Sequence, residues 1–555
     1  MSDGQHIYHM FRGLTFSALI ALQTASLTGC SDPKQKAVDK SAEAQALFDQ
    51  GRIAEARRAI DEAVAARDDI LEVHLLRGRI EGAAQSPVSA FMAYNDALAL
   101  DSTNGEALLG VAHYGMQSGH LEDSEDATNR ILTLDPEQPD ALLIKGIFNV
   151  VHNRGDDALA NAQAILAKDP ANENGAILKA RALSILDRSD EALQLMETVG
   201  TSAGRSANIP RTLIELYRLK NDGPAMIRQF ELLRRHVPQD VSVVLDEANT
   251  LYKLGDTARA RDFLRRVILS PGLGNGNARL VTDLWTEYDP APLDPASLAQ
   301  VAAKASGYAR KAVARFYLGR NDPTSALRAI GGGAADGDIA GLRAQAMIAQ
   351  GKVADGLRAA DQILDKDKTS CDALLARGQA TLALRRYNDA IITSQVANAN
   401  CPQSAPSYVV LARAQEGMRN DAAAEIAYRD GLTRNSQNSW LAGVYAAWLE
   451  KKGNSARAVA TARRLTNAAP ALLSGWKLYL DLCGRNPDAA CTSEAEEGLS
   501  RAKLLFAVDR RPDDPERPGL FSRLKKTKSD DDSFDAAAAA RKRAPASTDL
   551  APFGQ

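Results

Sequence analysis

Apolar residues recur along most of this chain at the i, i+3, i+4 spacing of amphipathic helices, as around Leu108, Leu142 and Leu374. The pattern breaks every 34 residues, in two series separated by an irregular stretch. The breaks fall at Gly51, Gln85, Gly119, Asn153, Asp187, Asn221 and Gly255, and then at Gly351, Arg385, Arg419, Gly453 and Pro487. Each interval therefore predicts two antiparallel helices joined by a tight turn.

Small residues occupy two fixed positions around these breaks. Seven residues before the turn stand Gly78, Ala112, Gly146, Ala180, Ala248, Gly378, Ala412 and Ala446. Five residues after it come Ala56, Ala90, Ser124, Ala158, Ala192, Met226, Ala260, Gly356, Ala390, Ala424 and Ala458. Prolines that stop the second helix follow at Pro136, Pro170, Pro238, Pro402 and Pro470. The small side chains let the two helices of each hairpin approach closely.

A 34-residue helix-turn-helix unit with turn residues, small residues and prolines at these positions resembles the tetratricopeptide repeat (TPR) family. The resemblance runs from about residue 38 to about residue 506. One such hairpin cannot bury its own apolar face, so neighbouring hairpins stack. The resemblance implies an all-α fold, a right-handed superhelix of about twelve to thirteen repeats with an irregular central joint. It also implies a surface that binds proteins.

The chain divides by pattern into six segments. They are a lipoprotein signal peptide at 1–29, a lipidated tether at 30–40, an N-terminal array at 41–273, a helical joint at 274–336, a C-terminal array at 337–508 and a disordered tail at 509–555. Within the joint, the pattern predicts helices over 278–288 and 295–318 and a shortened repeat that turns near Asn321. The joint is either a bend in one superhelix or a boundary between two subdomains.

The amino terminus predicts an exported lipoprotein. Arg12 precedes a short apolar stretch, Leu14–Ala25, which is too short to span a bilayer. It leads into Leu27-Thr28-Gly29-Cys30, which resembles a bacterial lipobox, with Cys30 as the lipidated residue. An ordinary signal peptide, or a cysteine there by chance, is the alternative. Ser31 after the cysteine favours the outer membrane over the inner membrane, by resemblance to the enterobacterial sorting rule.

The four other cysteines predict disulfides in an oxidising compartment. Cys371 and Cys401 lie at the two ends of one repeat, which antiparallel helices bring to the same edge, and Cys483 and Cys491 flank the last turn. Four cysteines allow three pairings, and only the local one, Cys371–Cys401 with Cys483–Cys491, requires no distant contacts. Four buried free thiols are the alternative.

Charge and motifs exclude several kinds of function. The formal net charge of −3 and the pI near 6.2 argue against a nucleic-acid partner. We find no metalloprotease, phosphate-loop or nucleophile-elbow motif and no histidines at metal-ligand spacing, so we expect no enzyme, cofactor or metal. If there were an activity, the irregular residues 270–320 would be its only candidate location.

In the TPR family the first helix of each repeat, helix A, lines a concave groove at positions two, five, nine, twelve and thirteen. Carried over, these positions predict partner-binding residues at Leu109, His113, Met116, Leu143, Ile147, Val150, Arg181, Arg211, Arg218 and Tyr252. An apolar patch followed by arginines suits a peptide with apolar anchors and an acidic end. Alternatively, Ile147 and Val150 only pack between repeats.

Together these features predict a membrane-anchored scaffold, facing the periplasm of a bacterial cell envelope, that binds protein or peptide partners. Long TPR lipoproteins of this kind are similar to those associated with exopolysaccharide secretion and PEP-CTERM protein sorting. A role in outer-membrane assembly or pilus biogenesis, or as a non-catalytic subunit of an envelope enzyme complex, is the alternative.

Overall fold

A computed structural model describes residues 32–203, 206–332, 337–486 and 488–506. Throughout these residues the regular secondary structure is α-helical, and they contain no β-strand. The chain forms two compact units, Met1–Leu134 and Asp135–Gln555. The predicted signal peptide, Cys30, the turn residue Pro487 and the predicted tail lie outside the described residues.

The first unit contains three helical hairpins, numbered 1 to 3. Their helices are α1 (Pro33–Asp49), α2 (Ile53–Ala66), α3 (Leu71–Ala83), α4 (Pro87–Leu100), α5 (Gly105–Ser118) and α6 (Leu121–Leu134). Each odd-numbered helix is helix A of its hairpin and each even-numbered one is helix B. The buried faces of consecutive helices form the core of this unit, as with Ile60, Leu76 and Ile80.

The second unit contains hairpins 4 to 14 within its described residues. Hairpins 4 to 8 consist of α7 (Pro139–Val151), α8 (Gly155–Lys168), α9 (Glu173–Ile185), α10 (Ser189–Ala203), α11 (Asn208–Leu219), α12 (Gly223–His236), α13 (Val241–Lys253), α14 (Thr257–Ile268), α15 (Asn275–Tyr288) and α16 (Pro295–Lys304). Hairpins 9 to 14 consist of α17 (Gly307–Gly319), α18 (Pro323–Ile330), α19 (Gly337–Ala349), α20 (Val353–Leu364), α21 (Cys371–Ala383), α22 (Tyr387–Asn400), α23 (Ala405–Gly417), α24 (Asp421–Arg434), α25 (Ser439–Lys451), α26 (Ser455–Ala468), α27 (Leu473–Arg485) and α28 (Ala489–Leu504). The TPR-like helical repeat array predicted from sequence is confirmed.

The turns fall where the 34-residue spacing placed them. Every predicted break in the described residues has a left-handed backbone, with φ between 55° at Asn221 and 89° at Gly119. Glycine and asparagine adopt this conformation readily, whereas Arg385 does so against its intrinsic preference. The turn compensates with hydrogen bonds: Arg385 N–H donates to Leu382 O at 3.0 Å, and the next amide, of Arg386, donates to Thr381 O at 2.8 Å.

The predicted small residues line the helix seams, and all of them are buried. Their neighbours are more varied than the sequence suggests. A Cβ on Gly78 would lie 2.6 Å from the ring of Tyr94, on helix B of the same hairpin, as expected. At Gly146, however, the nearest atom is Leu178 Cδ2, at 2.3 Å, which belongs to helix A of the next hairpin. The glycine at Gly146 therefore serves the contact between hairpins rather than the contact within one.

The central joint is only partly regular: α17 and α18 pack together as hairpin 9, whereas α15 and α16, numbered hairpin 8, hardly touch each other and pack instead on α17 and α18. The single helix expected over 295–318 is wrong: α16 ends at Lys304 and α17 starts at Gly307. Ser306 causes the break. Its Oγ accepts the Ala309 N–H at 3.1 Å as an N-cap and donates to Leu273 O at 2.8 Å. The described residues thus contain thirteen closely packed hairpins and the open pair α15–α16, in agreement with the predicted twelve to thirteen repeats and an irregular central joint.

Two disulfides join the second unit locally, in the pairing expected from sequence. Cys371 opens α21 and Cys401 follows α22, and their Cα atoms are 6.0 Å apart. Cys483 and Cys491, with Cα atoms 5.6 Å apart, join α27 to α28. Each bond therefore links the two helices of one hairpin, hairpin 11 or hairpin 14.

Candidate protein-binding groove

In the first unit, α5 presents the predicted groove residues on one side. His113 is exposed, and Leu109 and Met116 are half-buried. The His113 ring is held in place, since its Nε2 lies 2.7 Å from Gln117 Nε2 and its edge packs on Tyr114 at 4.9 Å between ring centroids. These residues form an accessible surface of apolar side chains with one oriented imidazole.

In the second unit, α7 carries the remaining apolar candidates. Leu143 and Val150 are half-buried and remain accessible to a partner, but Ile147 is only 8% exposed. The prediction that Ile147 contacts a partner is therefore wrong, and the alternative, packing within the stack of hairpins, describes it. A buried side chain of this size contributes about 1.5–3 kcal/mol to folding and cannot also present its surface to a ligand.

The predicted arginine stretch is already neutralised by the protein itself. Arg181 pairs with Glu215 at 3.4 Å, Arg211 with Asp240 at 3.1 Å and Arg218 with Asp246 at 2.5 Å. In each pair the carboxylate comes from the next hairpin along the chain. These guanidinium groups were expected to face solvent and meet an acidic ligand. Each positive charge has a carboxylate beside it, yet the Arg211 side chain is 42% exposed, so contact of these arginines with an acidic ligand stays a prediction.

Electrostatics around Asp240 agree with this pairing. Burial alone would raise the pKa of Asp240, but hydrogen bonds from Ser242 and Arg211 outweigh it, so the pKa lies below the ordinary value. Arg218 is only 19% exposed in its side chain, which reduces screening of its ion pair with Asp246 by water. The arginines therefore connect adjacent hairpins.

Tyr252 also belongs to the interior, which corrects its assignment to the groove. It is 6% exposed, and its hydroxyl donates to Asp289 Oδ2 at 3.2 Å. Arg261 holds the same carboxylate with two hydrogen bonds of 2.9 and 3.0 Å. Burial raises the pKa of Tyr252 far above its usual value, and the Asp289 charge adds to the shift. This cluster fastens hairpin 7 to the segment between α15 and α16.

Comparison with known proteins identifies the repeat. The family model described as a tetratricopeptide repeat matches residues 41–105 in the first unit and 342–405 in the second. Both matches coincide with helical hairpins whose turns are left-handed, at Gln85 and Arg385 among others. Both units therefore contain tetratricopeptide repeats.

Solved TPR structures resemble parts of this chain. A TPR protein from Parabacteroides merdae ATCC 43184 is 15% identical, covers 45% of this chain and 98% of its own, and has a TM-score of 0.39. Pseudomonas aeruginosa PilF is 16% identical over 38% of this chain and 96% of its own, with a TM-score of 0.31. PilW, a type IV pilus biogenesis factor, is 16% identical over 37% and 96%, with a TM-score of 0.32. Similarity at this level says nothing about partners. A search of curated proteins finds no match.

Two exposed aromatic residues on helices A were not predicted from the sequence. Tyr308 and Trp440 are 50% and 46% exposed, and each is the second residue of its helix A, α17 and α25. Lys311 Nζ lies 5.2 Å from the centroid of the Tyr308 ring. Position two is a groove position, so an aromatic residue there was the available signal. Exposed Trp and Tyr are typical anchors of protein interfaces.

Residues 32–203, 206–332, 337–486 and 488–506 contain neither a metal-binding cluster nor a membrane-spanning helix. No group of three or more His, Cys, Asp or Glu side chains in these ranges is placed to hold a metal ion. No helix in them is long and apolar enough to cross a membrane.

Proposed function

We propose that this TPR protein is a lipid-anchored scaffold of a bacterial cell envelope, facing the periplasm, where it holds protein components of an assembly or export system. The scaffold part follows from the fold, since TPR arrays bind protein partners along their helices A. A different set of residues, the cysteines, supports the proposed location. A system similar to exopolysaccharide secretion or PEP-CTERM sorting is the one we favour, on the resemblance stated above.

The distribution of all five cysteines is the observation that carries the proposal. Four of them form two disulfides, each within one hairpin. The fifth, Cys30, is the last residue of the lipobox-like Leu27–Cys30. Disulfides persist in oxidising compartments, and a lipobox cysteine receives acyl chains after export. All five are thus accounted for by one extracytoplasmic, oxidising location, which supports the proposal.

The surface available to a partner is apolar and aromatic rather than basic. Leu143 and Val150 remain accessible on α7, and Tyr308 and Trp440 are exposed on α17 and α25, whereas Arg181, Arg211 and Arg218 each already pair with a carboxylate. We therefore infer a partner segment that supplies apolar or aromatic side chains. Large aromatic anchors give contact area at low cost in conformational entropy, which suits recognition of such a segment.

Lipidation is tested with Cys30→Ser in the native host. The wild-type chain should incorporate labelled palmitate and fractionate with membranes, whereas the variant should incorporate none and move to the soluble fraction. The double variant Cys371→Ser/Cys401→Ser is the control, because it removes one complete disulfide and leaves Cys30 unchanged. A Cys30→Ser protein that remains in the membrane fraction would defeat the envelope anchor and leave the TPR scaffold standing.

Partner binding is tested with Trp440→Ala and Tyr308→Ala in a chemical cross-linking and pull-down experiment on envelope extracts. The control is Ile426→Ala, since Ile426 is 57% exposed but lies on a helix B. We expect the helix A variants to lose at least one specific cross-linked partner while the control retains it. If the control loses the partner and both aromatic variants retain it, the groove is not the binding surface.

A further inference from the structure

The last hairpin of the second unit contacts hairpin 7 of the same unit, about 220 to 250 residues away. The ammonium group of Lys253, at the end of α13, donates to Ala471 O and Ala502 O, each at 3.3 Å, and to Leu505 O. Two of these carbonyls belong to the C-terminal end of α28, where helix carbonyls lack partners within the helix and the helix dipole favours a cation. Lys253 is thus a cap for the final helix of the array.

Phe506 makes the apolar part of the same contact. It is 4% exposed and belongs to the core cluster that runs from hairpin 5 to hairpin 10. Its ring lies against Gly223, the first residue of α12, and Leu254. A Cβ at Gly223 would be 2.5 Å from Phe506 Cζ and 3.0 Å from Leu254 Cδ2. The ring therefore occupies space that only a glycine leaves open.

A second polar contact involves α27, the first helix of hairpin 14. The Ser474 N–H donates to Glu287 Oε1 at 2.8 Å, so a carboxylate on α15 binds the first turn of α27. The first amides of a helix have no partner within it, and a negative charge there is favourable. Lys253 and Glu287 are both at position thirteen of helix A, one of the positions that line a TPR groove. Hairpin 14 is thus seated on groove residues of hairpins 7 and 8.

We propose that hairpin 14 is an intramolecular latch. It closes hairpins 7 to 14 into a ring of contacts and covers the groove of hairpins 7 and 8, which becomes available to a partner when the latch opens. In an open solenoid each repeat contacts only its neighbours, so a contact between hairpins 7 and 14 is not required for the array to fold. The contact between these hairpins depends on three side chains, Lys253, Glu287 and Phe506, so a partner has only a few interactions to displace. Only the competition with a partner depends on the proposed scaffold function.

The Ser474 amide gives a direct measure of latch closure. It lies in the first turn of α27, and the hydrogen bond it makes is to Glu287. Hydrogen exchange of the full-length protein, followed by mass spectrometry on peptides spanning 472–476, should therefore show protection in the wild type. Phe506→Ala should speed this exchange by roughly tenfold or more, because the buried ring that holds the hairpin in place is removed.

Gly223→Ala tests the packing of Phe506 from the other side of the same contact. Alanine is a better helix former than glycine, so the change should leave α12 intact while its Cβ displaces Phe506 and exposes the Ser474 amide. Gly307→Ala is the matched control, since Gly307 is likewise the first residue of a helix and has nothing within 4 Å of its Cβ position. The control should leave exchange at Ser474 unchanged.

Each outcome decides one part of the proposal. Unprotected Ser474 in the wild type, or protection that survives Phe506→Ala, overturns the latch, even if Gly223→Ala disturbs α12 itself. If exchange responds as expected, the capture assay tests competition: Phe506→Ala should retain more of a groove-bound partner than the wild type. Equal capture by an opened latch would show that closure does not compete with binding. Failure to capture any partner with either protein would reject the scaffold instead.

Discussion

Tyr94 offers a sharp test of how these repeats pack, because its ring lies between two glycines. A Cβ built on Gly110, in helix A of hairpin 3, would lie 2.3 Å from Tyr94 Cγ and Cδ2. A Cβ on Gly78, in helix A of hairpin 2, would lie 2.6 Å from Tyr94 Cε2 and Cζ. The ring therefore cannot move away from one helix without approaching the other. We predict that Gly110→Ala destabilises this region, although alanine favours the helix.

The expected magnitude follows from two opposing terms. Overpacking a filled core costs about 1–3 kcal/mol, and the confinement of Tyr94 places this site near the upper end. Replacing glycine by alanine inside a helix stabilises it by about 1 kcal/mol. The net effect of Gly110→Ala is then a loss of about 2 kcal/mol. In a Tyr94→Ala background the ring is absent, so the same substitution should stabilise by about 1 kcal/mol.

The assay is a double-mutant cycle on the full-length protein. Hydrogen exchange of peptides from α4 and α5 gives the free energy of local opening for the four variants. All four tryptophans lie in the second unit, so the fluorescence transition in urea reports that unit separately and should not shift. Gly105→Ala is the control, since it also lies in α5 and has nothing within 4 Å of its Cβ position.

The change of sign is the decisive result. A coupling energy of about 3 kcal/mol between Gly110 and Tyr94 is expected, because the two residues are in direct contact. Tyr94→Ala alone should cost about 3–5 kcal/mol, as for other buried rings. If Gly110→Ala changes the free energy of local opening equally with and without the tyrosine ring, a glycine is not needed at position 110 to accommodate that ring. The packing argument is then refuted.

The remaining predictions concern the second unit. Peptide mapping of exported protein without reductant should recover both disulfides, and four alkylated thiols would contradict the pairing and the oxidising compartment. Gly146→Leu should destabilise hairpins 4 and 5 by about 1–3 kcal/mol in urea unfolding, since it enters the space of Leu178, and an unchanged midpoint would contradict this. Because the pKa of Asp240 is lowered in the folded protein, its pair with Arg211 stabilises the fold at pH values above the unfolded pKa of aspartate, about 4. This contribution to the free energy of unfolding is lost as the pH falls through the lower pKa of the folded state. Asp240→Asn should therefore cost up to about 1 kcal/mol at pH 7 and progressively less in acid; a cost independent of pH would contradict the ion pair.

The repeat was predictable because its signals are local. Turn residues such as Gln85 and Arg385 were located from spacing alone, although neither residue type favours a left-handed backbone. The buried small residues and the local disulfide partners were found in the same way. Each of these features depends on contacts within one hairpin or between neighbours, which recur at a fixed separation along the chain. The helix break at Ser306 was not predicted, because a single capping serine interrupts a helix without altering the hydrophobic spacing of the sequence.

Which side chains are accessible in the groove depends on the tertiary structure. Whether Arg181 faces a ligand depends on Glu215, 34 residues away, and whether Tyr252 is exposed depends on Asp289, 37 residues away. Hydrophobic periodicity does not reveal which carboxylate will stand opposite which cation, because that depends on side-chain direction after stacking. The contact of Lys253 with the end of α28 lies beyond any repeat signal. It depends on the small rotation between hairpins, summed over the seven steps from hairpin 7 to hairpin 14, which no single repeat encodes.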